Sequence, residues 1–167
     1  MPRPRPEPDV PGPQSGSRRP AARPSRITSD PEVKVVFDGI AASMQATPVY
    51  TSGDRDRPVA DGSRRSDHLA ARAQDGHVQG HTDAQVFAHL KANPALIPPK
   101  GYQVIHHGPH TVTQGGHIHI GRAPDGHARC SRPSQFLVEG LTPQTRGIYT
   151  VVKVARRGYS AGFWPLT

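Results

Sequence analysis

The run Ser66-Asp67-His68-Leu69-Ala70-Ala71-Arg72-Ala73-Gln74-Asp75, taken with His117-Ile118-His119 further along, gathers imidazoles and a carboxylate at spacings that can hold a metal. Two imidazoles and one carboxylate suit an open, catalytic zinc site with water in the fourth position. His68 and Asp75 converge if the small and polar residues between them turn or lie along a strand pair. His117 and His119 alternate with Ile118 and Ile120, so both point the same way if residues 116–121 form a strand, and that strand presents two imidazoles to one metal or to its water. Asp67, next to His68, is expected to cap or to support the site from behind rather than to ligate.

The other histidines divide into two groups. His106, His107 and His110, in Ile105-His106-His107-Gly108-Pro109-His110, are placed to line a substrate groove, stabilise an oxyanion or bind a second metal; the competing reading is an exposed polar loop. His77, His81, His89 and His127 read as ordinary surface groups. The single cysteine, Cys130, excludes an intramolecular disulfide framework and a cysteine-based zinc finger, and reads as a small buried hydrophobe.

Elements able to position such a site are visible in the pattern. Asp30 caps and Pro31 opens a helix over about 32–45, whose Val33, Val36, Phe37, Ile40, Ala41 and Met44 recur at helical spacing. Residues 48–51 make a short strand ending at Ser52-Gly53, and 54–65 a polar loop. A second helix runs from Thr82 or Asp83 to about 93, capped by Thr82, with Val86, Phe87 and Leu90 inward; Pro94 and Pro98-Pro99 end it. Residues 102–106 and 116–120 read as two strands, and 147–154 as a third or edge strand. The expectation is a small single α+β domain, an antiparallel sheet flanked by helices, with a disordered N-terminal arm.

Composition bounds the rest. With 19 prolines, 17 glycines and only 34% hydrophobic residues, part of the 167-residue chain is expected to lie outside a packed core. Residues 1–29, rich in Pro, Arg, Gly and Ser, form the arm; 30–122 form the core; 123–167 form an extension belonging to or packed on the same domain. The net charge of +8 is concentrated in Arg3, Arg5, Arg18, Arg19, Arg23 and Arg26 at one end and Arg146, Lys153, Arg156 and Arg157 at the other. No aromatic series interleaves with it, so no specific nucleic-acid binding is expected, and attraction to an acidic cell-wall polymer fits equally well. No apolar run is long enough to span a bilayer, and no secretory signal is visible.

Thr51-Ser52-Gly53-Asp54-Arg55, then Ser66-x-His68-x-x-Ala71-x-Ala73-x-Asp75, then His117-x-His119, in this order, resemble the M15-like zinc peptidases, the D-Ala-D-Ala carboxypeptidase and peptidoglycan endopeptidase group. That group carries a pattern close to SGYR, SxHxxGxAxD and a late histidine motif. The resemblance spans about 32–122. It implies that His68, Asp75 and His119 are the zinc ligands, that Arg55 holds a substrate carboxylate or carbonyl, and that Ser66 hydrogen-bonds near the scissile group. Many members place a Glu or Asp three residues before the last ligand; here that position is Gly116, and His117 is the best substitute as general base. Ala71 replaces the usual Gly, tolerable if its φ is negative, and Asp54 replaces the aromatic, where it can pair with Arg55 or Arg57.

The expected function is therefore zinc-dependent hydrolysis of a peptide bond in peptidoglycan stem peptides, as a carboxypeptidase or endopeptidase of D,D or L,D type. The expected protein is a monomer whose substrate lies in the cell envelope or outside the cell. The alternatives are a non-catalytic histidine-rich metal-binding module, an inactive peptidase relative, and a basic nucleic-acid-associated protein.

Overall fold

The computed structural model, which describes residues 25–58, 66–113 and 115–155, shows what the sequence pattern builds. Two helices and a six-stranded sheet make an α+β domain. Helix α1 (Pro31–Ser43) starts where Asp30 accepts from the backbone N–H of Glu32 and Val33, with Pro31 in the first turn. Its buried stripe is Val33, Val36, Phe37, Ile40 and Ala41, the face that the sequence marked. Helix α2 (Asp83–Ala92) opens with a reciprocal capping box between Thr82 and Gln85 and buries Val86, Phe87 and Leu90.

The strands are β1 (Pro48–Ser52), β2 (Ala73–Val78), β3 (Tyr102–His107), β4 (His117–Arg122), β5 (Gln135–Glu139) and β6 (Thr150–Val152), in the spatial order β1-β2-β4-β3-β5-β6. Every ladder is antiparallel except β3 with β5, which is parallel, so the sheet is mixed where a purely antiparallel one was expected. The reason is connectivity: β4 runs back beside β3, and residues 123–134 then cross β3 to lay β5 along its far side. Two strands had no sequence reading as strands, β2 and β5. The first carries Gln74, Asp75 and Gly76, poor strand formers, and is held by pairing on both sides.

Both helices cover one sheet face. Val78, Val104, Ile118, Ile120 and Phe136 meet Val33, Phe37, Val86 and Phe87 there in a single core. The opposite face carries Asp75, His119, His117, His107 and Glu139, all buried. Residues 123–155 thus belong to the same domain and supply β5 and β6, while 156–167 lie outside the described residues. Of the arm expected over 1–29, residues 1–24 lie outside the described residues, whereas 25–29 pack onto the domain. Gly53 donates its N–H to the Ser25 carbonyl, Thr28 donates its N–H to Gln74, and a Cβ at Gly53 would sit 2.3 Å from the Ile27 backbone. Among the described residues, no helix is long and apolar enough to cross a membrane.

Candidate metal centre

Three elements bring the first donors together. Ser66 caps a one-turn 3-10 helix (Asp67–Ala70), accepting from the His68 N–H, and this turn lifts the His68 ring over the sheet. Strands β2 and β4 place Asp75 directly opposite His119. His68 Nε2, Asp75 Oδ1 and His119 Nδ1 lie 2.9, 2.8 and 3.2 Å apart as a triangle. This buried group could hold a metal ion. Tetrahedral zinc with bonds of about 2.0–2.2 Å has ligand–ligand edges of about 3.3–3.6 Å, longer than all three of these, so the donors would move apart on taking up the ion.

The protonation pattern points the same way. His68 Nδ1 faces the Gly53 carbonyl, which only accepts, so Nδ1 carries a hydrogen, and Nε2 lies 2.9 Å from Asp75 Oδ1. A proton or a metal ion between these two atoms accounts for so close an approach. A backbone carbonyl fixing the far nitrogen is also the usual support for a metal-binding imidazole. Burial alone would raise the Asp75 carboxyl, but hydrogen bonds from His119 and His68 outweigh it and hold it well below the usual carboxylate range. Burial brings His119 down to about 4 despite the pull of Asp75, so its ring is neutral, the form that ligates.

His117 faces the same side. Its Nδ1 donates to the Gly115 carbonyl at 2.8 Å, and its Nε2 lies 3.4 Å from Asp75 Oδ2. A Cβ at Gly116 would stand 3.1 Å from the His107 carbonyl oxygen and 3.2 Å from that of Gly108, so an acidic side chain there is crowded as well as absent. Arg55 reaches the centre but is already engaged: Nη2 donates to Asp75 Oδ2 at 2.8 Å and Nε to Ser52 Oγ at 2.9 Å. Ser66 lines the cavity while its oxygen caps the turn.

Several expectations are corrected. Asp54 pairs with neither Arg55 nor Arg57; it is buried and accepts from Thr28 and the Ser29 N–H, anchoring the segment before α1. Ala71 has φ +55° and ψ +42°, so the condition under which alanine costs nothing there is not met. Asp67, read as a cap or a support, does not cap the turn; its two oxygens accept from Arg129 Nη2 at 2.6 and 2.7 Å. Of the three clustered histidines only His107 belongs to the site face. His106 lies on the helix side against Phe87, with ring centroids 5.5 Å apart, and His110 is exposed.

The residue that the sequence reading missed is Glu139. It is 1% exposed and accepts from His107 Nδ1 at 2.7 Å. Its signal was an acid closing the apolar run Phe136-Leu137-Val138. A cavity of about 500 Å³ opens over the whole group; its lining includes the cations Arg55, Arg57 and Arg129 and the apolar or aromatic Ile105, Leu137 and Tyr149. Comparison with known families, curated proteins and solved structures finds no match to this chain.

Proposed function

We propose that this protein is a zinc-dependent peptidase of the M15-like kind that hydrolyses a peptide bond in peptidoglycan stem peptides, as a carboxypeptidase or endopeptidase. The observation that carries the reading is the buried triangle of His68 Nε2, Asp75 Oδ1 and His119 Nδ1 at the floor of a cation-lined cavity. Zinc bound by these three residues supplies a Lewis acid and a water of lowered pKa.

The remaining work falls to the chain's own groups. His117, its Nδ1 hydrogen committed to Gly115, offers Nε2 to take the proton of the attacking water and return it to the leaving amine nitrogen. Arg55 orients Asp75 through Nη2 and is held to Ser52 through Nε; it lines the cavity, where a peptide carboxylate or carbonyl is the fitting partner for the N–H groups left over. Arg57 and Arg129 in the lining favour an anionic peptide. This activity places the protein's work in the cell envelope or outside the cell.

Elemental analysis of wild type and His119→Ala, with turnover of muropeptides, tests the reading. The expected result is one zinc per chain, lost in the variant. His117→Ala should keep the zinc and lose about 10²–10⁴-fold in kcat, the range of general acid–base catalysis. Zinc without turnover in wild type would instead favour the non-catalytic metal-binding module. No zinc would overturn both.

A further inference from the structure

The sheet places a second polar unit beside the metal centre. Across the sheet, His107 on β3 stands opposite His117 on β4 and opposite Glu139 on β5. Glu139 is a carboxylate built into the fold: it accepts from Thr111 Oγ1, from His107 Nδ1 at 2.7 Å, from the Val112 N–H at 3.1 Å and from the Gly147 N–H at 2.7 Å. An ionised carboxylate only accepts, so it fixes the hydrogen of His107 on Nδ1 and makes Nε2 an acceptor. The ring itself is clamped, stacked on His117 at 4.5 Å and met edge-on by Tyr149 at 5.9 Å.

His107 lines the cavity, and among the described residues nothing hydrogen-bonds its Nε2. This fixed acceptor opens onto the cavity, where a ligand that displaces water from it has to supply the donor in its place. Along the backbone of an extended peptide the carbonyls accept and the N–H groups donate.

We propose that Glu139 and His107 form a recognition unit separate from the metal triangle, in which Nε2 of His107 accepts a hydrogen bond from a backbone amide N–H of the bound peptide. His107 is the residue that touches substrate, and Glu139 positions it. The proposal rests on the peptidase reading. It adds that the site selects for an amide N–H one residue row away from the metal.

The test uses the full-length, zinc-loaded protein and the stem pentapeptide ending in D-Ala-D-Ala, free and cross-linked. His107→Asn puts an amide nitrogen where Nδ1 stands, keeping Glu139 partnered, and leaves nothing at Nε2. It should raise KM by about tenfold or more, with kcat changed less and zinc stoichiometry unchanged. His107→Gln, whose amide reaches the Nε2 position, should recover most of that loss. Glu139→Gln should move His107 to the Nε2–H tautomer, read from the ring nitrogens by NMR, with a similar rise in KM. Wild-type KM in His107→Asn, or an unchanged tautomer in a folded Glu139→Gln, would overturn the proposal. Should Glu139→Gln not fold, the two His107 variants decide alone. Wild type that cleaves neither substrate removes the peptidase reading and this inference with it, an outcome visible without any variant.

Discussion

The two faces of the sheet are made by the same strands, yet they are held by different physics. On β4, Ile118 and Ile120 are fully buried against the helices, while His117 and His119, each 7% exposed, lie on the other side. Strand β5 repeats the division with Phe136 on the helix side and Leu137 and Glu139 on the cavity side. The helix side gains stability from apolar area, which is non-directional and forgiving. The cavity side buries carboxylates and imidazoles, groups that stabilise only when every partner is in place. The fold is therefore carried by one face, and the other is free to be specified by chemistry.

The sharpest way to break that division is to compare neighbours. Ile118→Ala should cost about 2–5 kcal/mol of stability, the range for truncating a buried aliphatic residue, and the folded fraction should still bind metal. His119→Ala should abolish metal binding and turnover while costing the metal-free protein less than half as much stability. Denaturant midpoints of the metal-free proteins, paired with metal content, give both quantities. Equal destabilisation by the two variants would mean that the cavity face also carries the fold.

Acid should find the cavity face first. Burial, aided by His117 and opposed by Glu139, takes His107 from an ordinary 6.5 down to about 4. The folded state thus binds fewer protons than the unfolded chain between these values. Stability from this group is complete above about pH 6.5 and is lost as pH falls toward 4, at about 1.4 kcal/mol per unit and about 3 kcal/mol in all. Glu139, which burial would raise but Thr111 and His107 bring down to about 2 from 4.5, extends the loss below pH 4.5. Stability of the metal-free protein measured against pH should fall across this range, and His107→Asn should make the part between 6.5 and 4 shallower, leaving the share that His119 contributes. A flat wild-type profile from pH 7 to 4.5 would show that these groups are not held as described.

The helix face was largely legible in the sequence, because 3.6-residue spacing and capping residues are local. Asp30, Thr82, Phe37 and Leu90 announce their places without reference to anything distant. The three residues that could hold a metal were legible as residue types at convergent spacings, and the structure brings His68, Asp75 and His119 together. Partners set by long-range pairing were not. Glu139 meets His107 only because β5 lies parallel to β3, a register that no local pattern encodes. Arg129 meets Asp67 from a segment with no periodic signal at all. Arg55 was read as free for substrate because nothing local reveals that Asp75 takes one of its nitrogens.

The smallest effect concerns the joint between the two regions, where the 3-10 turn bearing His68 hands the chain to β2. The turn closes through the Ala71 N–H to the His68 carbonyl and the Arg72 N–H to the Asp67 carbonyl, and these bonds require Ala71 to be left-handed. A Cβ in that conformation costs about 1–2 kcal/mol, and part of the gain on removing it is returned through the greater freedom of glycine in the unfolded chain. Ala71→Gly should therefore stabilise the protein by about 0.5–1 kcal/mol, seen as a higher denaturant midpoint at unchanged slope. Metal affinity should hold, since the ring of His68 is fixed by Gly53 and not by the strain. A lower midpoint would mean that the turn relaxes away from the left-handed region in solution, and His68 would then owe its position to the carbonyl of Gly53 alone.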